Sequence, residues 1–316
     1  MQSTPQDSGL EALVRGVLDG DRLSGARLMR LVDDRREGHE QALDALFQHT
    51  GRAHVIGLAG SPGCGKSTLA DGLIELFRGR GRSVGVVAVD PSSSITGGAL
   101  LGDRVRMQRH AADDGVFIRS VATRGAVGGL SSSTQDIARI MDAMGRDVVI
   151  IETVGVGQDE VEIASVVHTV AVVLSPDTGD AIQIMKAGII EIGDLFVVNK
   201  ADRQGADRVA KELALFFQLQ SIEHPPAVVE TVATSGTGLE ALGDALEAHH
   251  EHEKPGEQRD RLRAEIKRRI AERAIQRLEH ELAEAVETSL DSIEAGRTTP
   301  YATVRKLYET FAGGQS

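Results

Sequence analysis

Between residues 9 and 49 the apolar positions recur at intervals of three and four: Leu10, Leu13, Val14, Val17 and Leu18, then Leu23, Leu28, Leu31 and Val32, then Leu43, Leu46 and Phe47. Polar residues fill the gaps, so the pattern predicts short amphipathic helices packed on a larger body. From His54 the texture changes. Seven short runs, HVIGLA (54–59), SVGVVAV (83–89), GVFIRSV (115–121), DVVIIE (147–152), TVAVVL (169–174), DLFVVN (194–199) and AVVET (227–231), are nearly continuous in apolar, mostly β-branched residues. Continuous runs predict strands buried on both faces, and the helical stretches between most of them predict crossover connections, hence a doubly wound, mostly parallel α/β sheet.

After His250 a polar hinge, EHEKPGEQ, leads into a long charged helix predicted from about Arg259 to Ile293. There Leu262, Ile266, Ile270, Ala274, Leu278, Leu282, Val286 and Leu290 recur every four residues. Such a row turns by about 40° per step around a helix of 3.6 residues per turn, so it must wind around a neighbour or change partners along its length. The last residues, TTPYATVRKLYETFAGGQS, predict one more short helix. The expected organisation is a helical prefix over 1–50, an α/β domain over 51–252 and a helical extension over 253–316.

Composition narrows the classes. The chain has 316 residues, 41% hydrophobic and 26% charged, as an ordinary globular protein does. Its 35 basic and 47 acidic residues give a net charge of −12, which argues against nucleic acid as a partner. One cysteine excludes an intramolecular disulfide and a multi-thiolate zinc site. No apolar run approaches the ~20 residues that span a bilayer, and the first residues lack signal-peptide character, so the expectation is a cytoplasmic protein away from the membrane. With no Trp, 2 Tyr and 7 Phe, stacking platforms for bases are scarce.

The chemistry is concentrated at strand ends. The first strand runs into Gly60-Ser61-Pro62-Gly63-Cys64-Gly65-Lys66-Ser67-Thr68, a full match to G-x-x-x-x-G-K-[ST] followed by a helical stretch. Successive backbone N–H groups in such a loop wrap a β-phosphate, the helix adds its positive N-terminus, the lysine reaches β and γ oxygens, and the Ser67 hydroxyl binds Mg²⁺. Cys64 occupies a variable position and receives no side-chain role. Asn199-Lys200-Ala201-Asp202, after another apolar strand, names the base. The Asp202 carboxylate accepts from the two N–H groups on guanine's pairing edge, Asn199 is placed to meet the other edge, and the Lys200 stem can cover the ring. Val232-Ala233-Thr234 offers the Ala233 N–H as a further base contact. Bound GTP and GDP are therefore expected.

The fourth run ends in Glu152-Thr153-Val154-Gly155, with Glu152 positioned to support Mg²⁺ and the Gly155 N–H to sense a γ-phosphate. Val156 follows, where Ras-like enzymes carry a water-orienting Gln, and Gln158 comes two positions late. Slow hydrolysis by the chain alone is the expectation. The polar, Gly-rich stretch 90–104 occupies the place of a first switch and carries Asp90 and Asp103 as candidate metal ligands.

Taken together, GSPGCGKST, VDPSSSITGGALLGDRVRM, IETVGVGQDEVEIA, TGDAIQIMKAGIIEI and VVNKAD resemble the MeaB/ArgK family of GTPases, over about Leu10 to His250. The stretch RSVATRGAVGGLSSSTQDI, with Arg124, departs from the P-T-S-G-T-L-G-G type associated with many methylmalonyl partners. The resemblance implies a metallochaperone that hydrolyses GTP and gates adenosylcobalamin loading of a B12-dependent acyl-CoA mutase, protecting or rescuing it. Methylmalonyl-CoA mutase and its isobutyryl- and 2-hydroxyisobutyryl-CoA relatives are the candidate partners. It implies metal ligation by Ser67, Asp90, Asp103 and Glu152, and catalytic roles for Lys66, Asp103, Glu152 and Lys186. A third switch is implied over about 176–191, containing Asp180, Gln183 and Lys186, and a homodimer formed by the C-terminal extension. The alternative is a metal-delivery GTPase of the nickel-insertase kind, which wants His or Cys ligands near the nucleotide. His249, His250 and His252 are the visible cluster, read as solvated residues of the hinge.

Overall fold

The computed structural model describes residues 5–90, 109–122, 132–155, 159–178, 188–222, 224–252 and 256–313. They form two compact units, residues 1–254 and 255–316, so the helical prefix belongs to the same unit as the sheet. Helices α1 (Pro5–Leu18), α2 (Arg22–Asp33) and α3 (His39–Phe47) come first. There follow β1 (His54–Ala59), α4 (Lys66–Gly79), β2 (Val84–Asp90), β3 (Val116–Ala122), α5 (Ser132–Ala143), β4 (Val148–Glu152) and the one-turn α6 (Asp159–Glu162). The unit closes with β5 (Thr169–Leu174), β6 (Leu195–Asn199), α7 (Ala206–Leu219), β7 (Ala227–Thr231) and α8 (Leu239–Glu251).

Among the described residues the seven strands are all parallel, in the order β3-β2-β4-β1-β5-β6-β7. Every residue of β1, β2, β4, β5 and β6 is buried, as continuous apolar runs require when helices cover both faces. On one face Val55, Val149, Ile151, Val172 and Phe196 pack with α2, α3, α5 and α7 through Leu28, Leu46, Ile137, Leu213 and Phe217. On the other, Ile56, Leu58, Ile150 and Val173 pack with α4 and α8 through Leu69, Leu73, Phe77, Leu242 and Leu246. β7 departs from expectation. It reads as fully buried but is one of the sheet's two edge strands, with Ala227, Val228 and Glu230 exposed. The composition of a run does not distinguish an edge strand from a central one.

β1 lies between β4 and β5, with the order running to β2 on one side and to β6 on the other. This is the topological switch point of an open α/β sheet, where ligands bind beyond the carboxyl ends of the strands. The Gly60–Thr68 loop leaves β1 at that point.

The second unit contains α9 (Glu257–Glu294), 38 residues or about 57 Å long, and α10 (Pro300–Gly313). The Arg277 guanidinium lies 5.3 Å over the Phe311 ring, joining the two helices. Arg269–Glu265 and Arg277–Glu281 ion pairs at i,i+4 spacing line α9 at 2.8 and 2.6 Å. Leu262, Ile266, Ile270, Val286 and Leu290 of its apolar row are exposed. No helix among the described residues is long and apolar enough to cross a membrane.

Candidate functional site

The site is built at the carboxyl ends of β1, β2, β4 and β6. Gly60 to Gly65 turn from β1 into α4, which starts at Lys66 with Gly65 at its N-cap in a left-handed conformation (φ 103°). A Cβ at Gly65 would stand 2.3 Å from the Asn199 amide nitrogen, so the residue must be glycine for space as well as for φ. The free N–H groups of the first turn of α4 point out of the loop's mouth and favour an anion there. Lys66 is 6% exposed. Its ammonium donates to the Gly60 carbonyl and, at 3.3 Å, to the Ser61 carbonyl, which holds it at the rim where phosphate oxygens would compete for it.

One turn into α4, the Ser67 hydroxyl donates to Glu152 Oε1 at 2.5 Å. Glu152 ends β4, in register with Leu58 of β1 and Ala88 of β2, and Asp90 ends β2 two residues further on. Both carboxylates are buried, 5% and 3% exposed. A hydroxyl and two carboxylates present oxygen donors alone, the kind of donor a hard divalent cation such as Mg²⁺ takes. Asp103, predicted as the fourth ligand, lies outside the described residues. So do Lys186, Gln183 and Asp180, Val156 and Gln158, and Arg124.

Beyond Glu152, Thr153 donates to the Leu58 carbonyl through both its N–H and its hydroxyl, at 3.2 and 3.0 Å. The chain then reaches Gly155 (φ 91°), where an added Cβ would meet Lys66 Nζ at 2.5 Å, the Gly60 oxygen at 2.7 Å and the Pro62 nitrogen at 3.0 Å. The predicted γ-phosphate sensor thus lies directly against the phosphate loop and its lysine.

The base-reading loop differs from expectation in detail. Asn199 is 2% exposed, and its amide bonds within the protein. It donates to the Cys64 carbonyl at 2.9 Å and accepts from the Thr231 hydroxyl at 3.2 Å and the Ala233 N–H at 3.1 Å. Asn199 therefore braces the phosphate loop and the 232–237 turn, and the Ala233 N–H, expected at the base, bonds to Asn199. Cys64 is fully buried, with its carbonyl in that brace. Lys200, at φ 57°, donates to the Gly63 carbonyl at 2.8 Å and pairs with Asp177 at 3.1 Å. Arg203 pairs with the same carboxylate. Asp202 is exposed, which suits a group that meets an incoming base.

Three contributors carried no role in the sequence reading. Asp177 and Arg203 tie the turn after β5 to the base loop, and the Glu160 carboxylate accepts the Gly60 N–H at 2.8 Å. Glu160 sits inside the quoted GQDEVE run, the one signal that could have marked it.

The histidines also differ from expectation. His249 and His250 belong to the last turns of α8, half-buried, while His252 is exposed. The His250 ring stacks on His54 with centroids 4.2 Å apart and lies 5.2 Å from His168. His54 and His249 share hydrogen bonds with the Thr169 hydroxyl at 2.8 and 2.9 Å, and His168 Nδ1 accepts the Val55 N–H at 2.9 Å. This stack lies where β1 and β5 begin, about 20 Å of strand away from the phosphate loop. Among the described residues no group of three or more His, Cys, Asp or Glu side chains is placed to hold a metal ion.

Comparison with known proteins agrees with this architecture. The family model described as "Methylmalonyl Co-A mutase-associated GTPase MeaB" matches residues 25–287. A Pyrococcus horikoshii protein named as a GTPase is 46% identical over 290 residues, 90% of each chain. The GTPase ArgK of Escherichia coli is 39% identical over 250 residues, 76% of each. A crystal structure described as a LAO/AO transport system kinase superposes with a TM-score of 0.70 at 26% identity, covering 98% of this chain and all of that one. A phosphate loop at the switch point, a guanine-type tetrad beside it and a family match over most of the chain lead to one assignment: the chain is a P-loop GTPase and belongs to the MeaB family.

Proposed function

We propose that this GTPase acts as a Mg²⁺-dependent chaperone of a B12-dependent acyl-CoA mutase, methylmalonyl-CoA mutase or a relative, and gates its loading with adenosylcobalamin. The name of the matching family supports a mutase partner. The observation that carries the reading is Gly155 packed on Lys66 and Gly60, because a ligand change at the γ-phosphate then has to move the segment that follows β4. A conformational output is what a chaperone needs from its nucleotide. Ser67, Asp90 and Glu152 would hold Mg²⁺, which would supply charge neutralisation for the phosphates. Lys66 draws charge onto the phosphates, the α4 N-terminus cradles them, and Asp202 selects guanine.

The partner would complete the hydrolytic site. Val156 supplies no side chain to orient water, and Lys186 and Gln183 of the third switch are the residues proposed to close over the γ-phosphate. The metal-delivery alternative gains no support from the histidines, which gather at the other end of the sheet. Single-turnover GTP hydrolysis, measured with and without a purified acyl-CoA mutase, tests the proposal. Stimulation of tenfold or more is expected, within the ~10³–10⁵ a completing partner can supply. Identical rates with methylmalonyl-, isobutyryl- and 2-hydroxyisobutyryl-CoA mutases and with none would refute it.

A further inference from the structure

Glu160 is a carboxylate 3% exposed, placed on α6, and the chemistry described so far leaves it without a function. Its Oε1 accepts the backbone N–H of Gly60 at 2.8 Å in a buried setting. Gly60 is the first residue of the phosphate loop, and its carbonyl accepts the Lys66 ammonium. Both polar groups of this one residue are therefore engaged, the N–H by the segment after β4 and the C=O by the phosphate-binding lysine. Gly155 also approaches this residue, a Cβ built there lying 2.7 Å from the Gly60 oxygen. Three residues past Glu160, Ile163 sits over Gly57 of β1, so closely that a Cβ there would lie 2.5 Å from its Cδ1. The chain after β4 is thus fastened to β1 and the phosphate loop at Gly155, Glu160 and Ile163. The Glu160 fastening is a charge-assisted hydrogen bond, the strongest kind available to a backbone N–H.

We propose that Glu160 is a positioning residue for GTP hydrolysis: through the Gly60 N–H it fixes the segment after β4 in register with the phosphate loop, so that Gly155 is presented to the γ-phosphate. This rests on the reading of Gly155 as the γ-phosphate sensor. Glu160 acts through Gly60 and Gly155. The N–H groups that wrap a β-phosphate lie further along the loop and at the start of α4, outside its reach. Loss of the bond should therefore impair what depends on the γ-phosphate and spare what depends on the β-phosphate. Val161, the next residue, is 40% exposed, so the same one-turn helix faces the phosphate loop on one side and the surface on the other.

The test uses the full-length protein and four variants, Glu160→Ala, Glu160→Asp, Glu160→Gln and Gly155→Ala, each checked by thermal melting. Steady-state GTP hydrolysis and the affinities for GDP and for a non-hydrolysable GTP analogue are measured for each. Glu160→Asp keeps the charge but withdraws the acceptor, so it and Glu160→Ala should lower kcat roughly 10- to 100-fold, as a displaced reacting geometry does. Both should lose preference for the GTP analogue while GDP affinity stays within about threefold. Glu160→Gln keeps an acceptor oxygen at the same reach and should recover kcat to within about threefold of wild type. Wild-type kcat in Glu160→Asp, or equal loss of GDP and analogue affinity at unchanged kcat, would overturn the proposal. Should Glu160→Ala fail to fold, the Asp and Gln pair decides alone. If Gly155→Ala loses analogue preference while Glu160→Asp does not, the positioning role fails and the sensor reading stands. If neither variant changes it, both fail.

Discussion

Asn199 and Asp202 stand three residues apart in one loop with opposite environments, one buried and bonded within the protein, the other exposed. Removing the Asn199 side chain leaves the Cys64 carbonyl and the Ala233 N–H without that partner, at about 1–3 kcal/mol for each group that stays dry. Asn199→Ala should therefore lower Tm by several degrees and weaken GTP and XTP binding together. Asp202→Asn should leave Tm within a degree or so and shift preference toward XTP, because an amide can donate to xanthine's extra carbonyl where a carboxylate only accepts. Scanning fluorimetry with titration of both nucleotides checks the pair. Unchanged base preference in the Asp202 variant would remove it as the base reader. The tetrad was legible because four residue types at a strand end suffice to name it. The destination of the Asn199 amide was not, since Cys64 lies 135 positions away and Ala233 lies 34 away. Glu160 was hidden in the same way, its partner Gly60 being 100 positions distant.

Strands and helices were easier to foresee than their neighbours. β1, β2, β4, β5 and β6 announced themselves as continuous apolar runs because both faces are covered, whereas nothing in AVVET marks β7 as an edge strand. α8 illustrates the limit further. Its run through Glu251 carries His249 and His250 onto the sheet end, where His54 and His168 wait, and none of these contacts is local in sequence. Burial first, and then His250, His168 and His249, push the His54 pKa down from 6.5 to about 2. Asp194 lies 3.4 Å from His249 Nε2. A base whose folded pKa is depressed contributes stability that is fully present above its unfolded pKa. That contribution falls away as pH drops below about 6.5 toward 2, because the unfolded chain then binds the proton more readily. The slope for one such histidine approaches ~1.4 kcal/mol per pH unit. Urea midpoints between pH 8 and pH 4.5 should fall more steeply in wild type than in His54→Gln, which can keep the bond to Thr169 without titrating. Parallel curves would mean that His54 does not set the acid sensitivity.

At the scale of the molecule, the chain divides into two compact units. The first contains the sheet, both of its cores and all the described nucleotide-site residues, from Gly60 to Ala233. The second offers a 38-residue helix whose apolar row leaves Ile266 and Ile270 59% and 63% exposed, with Tyr301, Val304 and Tyr308 of α10 more exposed still. Burying a side chain of this size contributes about 1.5–3 kcal/mol, so a row this long left in water forgoes far more than one ion pair recovers. The i,i+4 pairs along α9 maintain the helix, but they do not cover the row. We propose that a second copy of the chain covers it, since an identical row is what a two-fold dimer would bring. Removing residues from Glu257 onward should therefore give a monomer that binds GTP within about threefold of the full chain, since the loss touches neither core of the first unit. In the full-length protein, Ile266→Lys with Ile270→Lys should likewise give a monomer while leaving nucleotide affinity unchanged. Multi-angle light scattering reads the mass directly, over a dilution series that covers the micromolar range. A truncated chain that still runs as a dimer would move the interface into the first unit and leave the α9 row without this role.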